Sequence, residues 1–262
     1  MFPLRIAVAT HRLPGSLRQS LRAAARSGAR GVQLDVRNQV QMSELGDTAR
    51  RELLHHLAEL GLSLASLAFP LRRPLIEEEG LDARLDALRQ AMSLAFQLQA
   101  KVLTTRIGPV PADADSPEFK LLVDVLNDLA RHGNHVGTVL AIAPGRASAE
   151  TLARLVERVT AGPFGIDYDP AAFIIAGHDP LAALRELHRA VVHVRVRDAI
   201  RDVDGAGIEV PVGRGEVDWP EVLALVAEMD YRGWVTVDRT AGDDPAGDVF
   251  RAVEFLQQVA MG

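Results

Sequence analysis

The 262-residue sequence contains no cysteine, which excludes disulfide bonds and thiolate metal sites. Only two of the 29 basic residues are lysine, and 35 acidic residues give a net charge of −6. No segment forms the basic patch that nucleic-acid binding requires, so we expect no nucleic-acid partner. No apolar run approaches the roughly 20 residues of a membrane span, and the N-terminus does not resemble a signal peptide. We therefore expect a soluble, cytoplasmic protein without membrane contacts.

Short apolar runs are abundant, in keeping with a hydrophobic fraction of 48%. Eight of them are bounded by glycine, proline or polar residues and are predicted strands. These are Arg5–Thr10, Gly31–Val36, Leu62–Phe69, Lys101–Ile107, Thr138–Ala143, Phe164–Asp169, Val191–Val196 and Trp234–Asp238. Amphipathic stretches separate them. Between Leu81 and Ala95, for example, apolar residues recur every three or four positions, which predicts one face of a helix.

The alternation of strands and helices predicts a parallel sheet, and eight units of about 33 residues predict a closed (β/α)8 barrel. An open, doubly wound sheet is the rival, but it would need a glycine fingerprint after an early strand, and VATHRLPG is not one. No linker or change of composition divides the chain, so we expect a single barrel domain over residues 1–262. Gly28 and Gly61 fit predicted helix ends. Asp179 and Asp218 fit predicted helix starts.

Two predicted strands alternate apolar and charged residues. In VVHVRVRD, residues 191–198, valines form one face, and His193, Arg195 and Arg197 form the other. FGIDYD, residues 164–169, places two aspartates in the same way. If the aliphatic faces pack on the helices, the polar faces line the lumen, with active-site groups at the C-terminal strand ends. The predicted lumen residues are Gln33, Asp35, Arg37, Thr104, Arg106, Ala141, Ala143, Asp167, Asp169, His193, Arg195, Arg197, Thr236 and Asp238.

Four acids and four arginines in this set require partners, because an unpaired buried charge costs several kcal/mol, on the order of 3–5. The charges either form a structural network of ion pairs or hold a ligand. Their position at the C-terminal end of a barrel favours a ligand pocket.

Five stretches resemble the sugar phosphate isomerase/epimerase family of xylose isomerase-like barrels in their order and spacing. They are GVQLDVR, SLAFPLRR, GIDYDPAAFIIAGHDPLAALREL, VVHVRVRD and VPVGRGEVDWPEVLALVAEMDYRGWVTVDR. The resemblance covers nearly the whole chain and implies the barrel fold. A related branch, the multi-zinc abasic-site endonucleases, needs more histidine and carboxylate ligands and a basic face, which this sequence lacks.

The resemblance also implies one divalent metal (Mn, Mg, Zn or Co), held by a Glu, an Asp, a His and a Glu at the ends of strands five to eight. In this sequence those positions are Ala143, Asp169, Arg195 and Asp238. Alanine has no donor atom, and a guanidinium is always charged and cannot coordinate a cation. Two carboxylates beside an arginine are a poor site for a hard divalent ion.

We therefore expect Arg195 to replace the metal and to bridge Asp169 and Asp238, with Arg197 or Arg106 extending the network. The formal charge supports this hypothesis. The family ligands with a bound metal sum to −1, and Asp169, Asp238 and Arg195 sum to −1 without one. No cofactor is expected unless the family metal site survives.

Two functional hypotheses follow from the resemblance. In the first, the protein is an isomerase or epimerase of a small sugar or sugar-derived keto compound. Asp169 or Asp238 then abstracts a proton, and Arg195 stabilises the enediolate. In the second, it is a pseudoenzyme that binds a carbohydrate, an acidic metabolite or a protein partner. The sequence allows a homodimer. The expected substrate-binding residues are Asp35, Arg37, Arg106, His193, Arg197 and His11.

Three of these features allow more than one interpretation. His11 follows the first strand and is either solvated or in contact with substrate. His193 lies one step deeper than Arg195 and is either satisfied within the lumen or a substrate contact. The glycines of GRG, residues 213–215, lie where this fold often binds phosphate, but Glu216 opposes an anion.

Overall fold

The predicted strands form a closed ring. A computed structural model of the chain describes residues 4–202 and 207–261. Its strands are β1 (Ile6–Ala9), β2 (Gly31–Asp35), β3 (Ser63–Ala68), β4 (Val102–Thr105), β5 (Val139–Ile142), β6 (Phe164–Tyr168), β7 (Val191–Val196), β8 (Asp198–Ile200), β9 (Ile208–Val210) and β10 (Val235–Val237). Eight of them pair in parallel in the order β1, β10, β7, β6, β5, β4, β3, β2, and β2 closes the ring onto β1. The predicted (β/α)8 barrel is confirmed, and the alternative prediction of an open, doubly wound sheet is wrong.

Helices cover the outside of the ring. They are α1 (Leu17–Arg26), α2 (Asp47–Glu59), α3 (Leu81–Gln97), α4 (Pro117–Val136), α5 (Ala149–Arg158), α6 (Pro170–Ile175), α7 (Pro180–Leu187), α8 (Trp219–Glu228) and α9 (Pro245–Met261). The predicted N-caps are confirmed, since the Asp179 carboxylate accepts from Leu181 N and the Asp218 carboxylate accepts from Glu221 N. None of the helices in residues 4–202 and 207–261 is both long and apolar enough to cross a bilayer.

The hydrophobic core lies between the ring and the helices. On β7 and β10, Val194, Val196 and Val235 are buried in one cluster with Leu184 of α7 and Val222 of α8. The sequence predicts this layer, because the aliphatic residues alternate along the strands and so share one face. Because these valines point outward, the alternate residues of the same strands point into the lumen, where the charged side chains meet.

An antiparallel hairpin, β8–β9, interrupts the connection between β7 and α8, and the sequence did not indicate it. Asp198, at the start of β8, is fully buried. Its carboxylate accepts from the backbone N–H groups of Gly213 and Gly215 at 2.9 and 3.2 Å and from the Trp219 indole at 3.3 Å. A Cβ at Gly215 would lie 2.1 Å from Asp198 Oδ1, so the loop requires glycine there. The two glycine N–H groups of GRG are thus engaged by a carboxylate of the chain itself.

Candidate functional site

Buried polar side chains from several strands form a connected layer in the lumen. Gln33 Nε2 donates to Ser66 Oγ at 2.8 Å and to Thr104 Oγ1 at 3.3 Å. Ser66 Oγ lies 3.3 Å from His193 Nε2, and Thr236 Oγ1 lies 2.8 Å from the same nitrogen. These five side chains satisfy one another, as buried polar groups must. His193 is therefore a satisfied lumen histidine, one of the two interpretations that the sequence left open.

Asp167 joins this layer to the charged groups above it. Its Oδ1 accepts from His193 Nδ1 at 2.7 Å, and its Oδ2 accepts from Arg195 Nη2 at 2.5 Å. Burial raises the pKa of Asp167, but Arg195 and His193 lower it by more, so the pKa lies well below its usual range. Asp167 is therefore a fixed negative charge at the centre of the barrel.

Arg195 bridges two aspartates. Besides Asp167, its guanidinium binds Asp238, with 2.7 Å between Nη1 and Oδ2. Burial lowers the pKa of Arg195, but Asp167 and Asp238 raise it by more, and the group stays cationic. The expected bridge from Arg195 to Asp238 is confirmed. The expected bridge to Asp169 is wrong, because Asp167, two residues earlier on the same strand face, takes that place.

Asp169 is fixed by α6 and by Arg197 and is therefore not paired with Arg195. It is the N-cap of α6, and its Oδ1 accepts from Ala172 N at 3.2 Å. Its Oδ2 accepts from Arg197 Nη1 at 2.6 Å. Both oxygens of Asp169 are thus engaged, one by the helix and one by the second arginine of β7.

Arg197 also connects the barrel to the β8–β9 hairpin through Glu209. Arg197 Nε donates to Glu209 Oε2 at 3.0 Å, and Arg239 Nη1 donates to Oε1 at 2.7 Å. The Thr240 backbone N–H donates to the same Oε1 at 2.8 Å. Burial raises the pKa of Glu209, but Arg197 and the Thr240 hydroxyl lower it to about 2. The expectation that Arg197 extends the Arg195 network is wrong, because Arg197 pairs with Asp169 and Glu209, whereas Arg195 pairs with Asp167 and Asp238. Glu209, Arg239 and Thr240 are members that the sequence did not reveal.

A cavity of about 70 Å³ opens at the C-terminal strand ends, above Arg195. The titratable residues in its wall are His11, Arg12, Asp35, Arg106, Arg195 and Asp238. Asp238 is 2% exposed, and its Oδ1 has no hydrogen-bond partner among the described residues. His11 Nε2 lies 3.6 Å from this oxygen. Burial lowers the pKa of His11, and Asp238 offsets only part of that effect, so the imidazole is neutral near pH 7.

The other predicted substrate-binding residues divide into two groups. Asp35 lines the cavity, with its carboxylate held by the backbone N–H groups of Arg37 and Asn38 at 2.8 and 2.9 Å. Arg106 is exposed and also lines the cavity. The prediction that Arg37 faces the lumen is wrong, because its guanidinium stacks on the Phe69 ring with 5.1 Å to the centroid. The strand has ended at Asp35, and in the turn that follows the parity no longer applies.

Two wider depressions lie elsewhere, one bordered by Arg37 and the other by His193. One, of about 900 Å³, lies beside α2 and α3. The other, of about 910 Å³, lies around the N-terminal strand ends near Ser63 and Trp234. Neither is bordered by the Arg195 ion pairs. Because barrel chemistry is located at the C-terminal strand ends, the smaller cavity is the candidate functional site.

The four positions that the resemblance assigns to metal ligands hold one alanine, one arginine and two aspartates. Among residues 4–202 and 207–261, no group of three or more histidine, aspartate or glutamate side chains is placed to bind one. Ala143 has no donor, and Arg195 is a cation bonded to Asp238. Asp169 is bonded to Arg197. The donors that remain are therefore neutralised by arginine.

A closed ring of eight parallel strands, with buried charges and a cavity at the carboxyl ends, defines a TIM barrel with its candidate site in the usual place. Residues 21–259 match the family described as xylose isomerase-like TIM barrel, and the chain belongs to this family. The resemblance inferred from the sequence motifs is confirmed.

Three known proteins illustrate the relationship. An inosose dehydratase of Clostridium tetani is 27% identical over 154 residues, which are 49% of this chain and 49% of that protein, so the alignment spans about half of the relative. A xylose isomerase domain protein from Planctomyces limnophilus has a TM-score of 0.86 at 24% identity, covering 98% of this chain and 97% of the other. A xylose isomerase-like TIM barrel protein from Mycobacterium smegmatis, solved in complex with magnesium, has a TM-score of 0.79 at 17% identity, covering 99% and 98%.

The Arg195 bridge makes a testable contribution to stability. Replacing Arg195 with alanine leaves Asp167 and Asp238 facing each other without a cation. We expect Arg195→Ala to lower the free energy of unfolding by about 3–5 kcal/mol in urea denaturation at pH 7. The matched control is Arg185→Ala, which removes an exposed pair with Glu221 and should cost less than about 1 kcal/mol. Equal losses for the two variants would contradict a buried bridge.

The low pKa of Glu209 predicts how the hairpin contact depends on pH. The folded-state value of about 2 lies below the unfolded value of about 4.3. The ionised contact therefore stabilises the fold fully above about pH 4.3, and this stabilisation is lost as the pH falls toward 2. In urea denaturation, the difference between wild type and Glu209→Gln should be largest at pH 7 and shrink steadily below about pH 4.3. Glu79→Gln, which removes an exposed pair with Arg73, should differ little from wild type in its free energy of unfolding at any pH. A difference for Glu209→Gln that does not vary with pH would exclude an ionised clamp.

Proposed function

We propose that the protein acts on a small sugar or sugar-derived keto compound as a divergent isomerase or epimerase, without a divalent metal at the family position. The observation that carries this proposal is the pairing of Asp238. One of its oxygens is fixed by Arg195, and the other is buried, unpartnered among the described residues and at the wall of the cavity. A carboxylate held in this way is oriented and has a free oxygen for proton transfer.

Of the two expected bases, the geometry favours Asp238. Both oxygens of Asp169 accept hydrogen bonds, and Asp169 does not line the cavity. In the proposed reaction, Asp238 Oδ1 takes the proton from the carbon beside the substrate carbonyl. The electron pair of that C–H bond moves to the carbonyl oxygen and gives an enediolate. Return of the proton to the neighbouring carbon gives the isomer, whereas the epimer requires a second acid that delivers a proton to the opposite face of the same carbon.

Arg195 and His11 have supporting roles in this scheme. Arg195 lines the cavity and places a permanent positive charge where the enediolate oxygen develops, which stabilises the transition state more than the ground state. His11 is neutral near pH 7 and lies beside Asp238 Oδ1, so its ring can carry a proton between the two enediolate oxygens. The electrostatic role that the family assigns to a metal is taken here by a guanidinium.

The relatives support a carbohydrate-like substrate. The C. tetani protein is named for the dehydration of an inosose, and this chain is similar to about half of it. The family is one of xylose isomerase-like barrels. Both observations support a carbohydrate-like substrate.

A second candidate is binding without turnover, as expected of a pseudoenzyme. It is favoured by the small size of the cavity, about 70 Å³, which is below the usual range for ligand pockets of about 300–1,000 Å³. In this case the cavity would hold a small carbohydrate or acidic metabolite, and Asp238 would accept a hydrogen bond from it.

Exchange with deuterium from the solvent distinguishes the two candidates. A panel of ketoses and keto acids is incubated with the protein in D2O containing EDTA, and the hydrogen beside each carbonyl is followed by NMR. The proposal expects exchange in EDTA at an unchanged rate, and a loss of at least about 100-fold in Asp238→Asn, because the amide cannot accept the proton. The matched control is Asp47→Asn, at an exposed pair with Arg50, which should exchange at the wild-type rate.

The remaining outcomes exclude one candidate or the other. Binding of a panel compound, detected as a thermal shift, without exchange of any hydrogen would show the binding-only function. Exchange that disappears in EDTA and returns with manganese would contradict the replacement of the metal by Arg195. Elemental analysis of the purified protein provides the corresponding direct check, since no stoichiometric Mn, Mg, Zn or Co is expected.

A further inference from the structure

The charges around the cavity are separated by depth. Asp238 and Asp35 are 2% and 6% exposed and form its inner part. Arg12 and Arg106 are exposed and form its outer part, which we call the rim. A ligand in this cavity therefore meets two carboxylates at its inner end, one of them paired with Arg195, and two further guanidinium groups at its outer end.

The rim arginines differ from the arginines inside the barrel. Arg195, Arg197 and Arg239 each bind two carboxylates. Within residues 4–202 and 207–261, neither the Arg12 nor the Arg106 guanidinium has a hydrogen-bond or ion-pair partner. Exposed arginines are often solvated, but these two share one small cavity with a buried acceptor that also lacks a partner.

That buried acceptor is Asp238 Oδ1. Asp238 is 2% exposed, and a buried carboxylate oxygen with no donor among the described residues is costly unless a ligand supplies one. A hydroxyl group is the matching donor, and the neutral His11 ring beside it is a second polar contact for such a group. The inner end of the cavity thus requires a hydroxyl donor, while the rim offers positive charge.

We propose that the substrate is a sugar acid or its keto derivative, with its hydroxyl-bearing end at Asp238 and its carboxylate between Arg12 and Arg106. This assignment rests on the proposed function and names the chemical class of its substrate. Guanidinium groups recognise carboxylates through charge-assisted hydrogen bonds. A carboxylate fits better than a phosphate, because the two glycine N–H groups of GRG, the natural phosphate site of this fold, are engaged by Asp198.

The small cavity suits a short chain, so the test compares erythronate with erythritol. These four-carbon compounds differ in one terminal group, a carboxylate in the first and a hydroxymethyl group in the second. Calorimetric titration at low ionic strength should show erythronate binding at least tenfold more tightly. Arg12→Gln and Arg106→Gln should each weaken erythronate binding about tenfold and leave erythritol unchanged. Arg131→Gln, on the exposed face of α4, is the matched control and should change neither affinity.

Several results would overturn the assignment. These are equal affinities for the two compounds, no binding of either, or erythronate binding that survives both substitutions at the rim. Tighter binding of erythrose 4-phosphate than of erythronate would show a phosphate site instead. Erythronate selectivity without exchange of any keto compound in D2O would uphold the anion site and refute the proposed reaction. Exchange of neutral erythrulose without erythronate selectivity would do the reverse.

Discussion

The site depends on one shared cation, the Arg195 guanidinium between Asp167 and Asp238. Two buried carboxylates at the centre of a barrel repel each other, and each loses its hydration on folding, so neither is tolerated without a partner. Arg195 supplies that partner from the neighbouring strand and is fixed by three hydrogen bonds. A divalent metal placed in the same space would have to compete with a charge that cannot leave its side chain.

A second set of ion pairs between arginines and carboxylates lies closer to the C-terminal ends of the strands. Arg197 pairs with Asp169 of the barrel and with Glu209 of the hairpin, and Arg239 pairs with Glu209 and Asp248. Carboxylates and arginines therefore alternate from the lumen to α9. This chain of pairs holds the β8–β9 hairpin against the strand ends. Among the described residues, the only unpartnered buried side-chain oxygen is at the cavity lined from β1, β2, β3, β4, β7 and β10, and that oxygen is where the proposed chemistry begins.

The sequence predicted the barrel because the alternation of strands and helices is regular and every strand has a clear apolar parity. It also predicted that Arg195 faces the lumen and pairs with Asp238. It could not distinguish Asp167 from Asp169 as the second partner, because both lie on the same strand face. That choice depends on a register shift between β6 and β7 and on the N-cap of α6, which only the assembled structure shows.

Other errors came from residues beyond the strands. Arg37 lies in the turn after β2, where strand parity no longer gives the direction of a side chain. Glu209 belongs to a three-residue strand, which is too short to show a period, and its partners lie 12 and 30 residues away in the sequence. Such contacts depend on the position of a hairpin over the barrel, and no local pattern encodes that position.

The most direct test of guanidinium replacement is a crystal structure of the protein grown with millimolar manganese, with anomalous data collected for that metal. The account predicts no anomalous peak near Asp169 or Asp238, and Arg195 density that connects Asp167 to Asp238. A manganese peak coordinated by Asp169 and Asp238, with the Arg195 side chain turned out of the lumen, would contradict it.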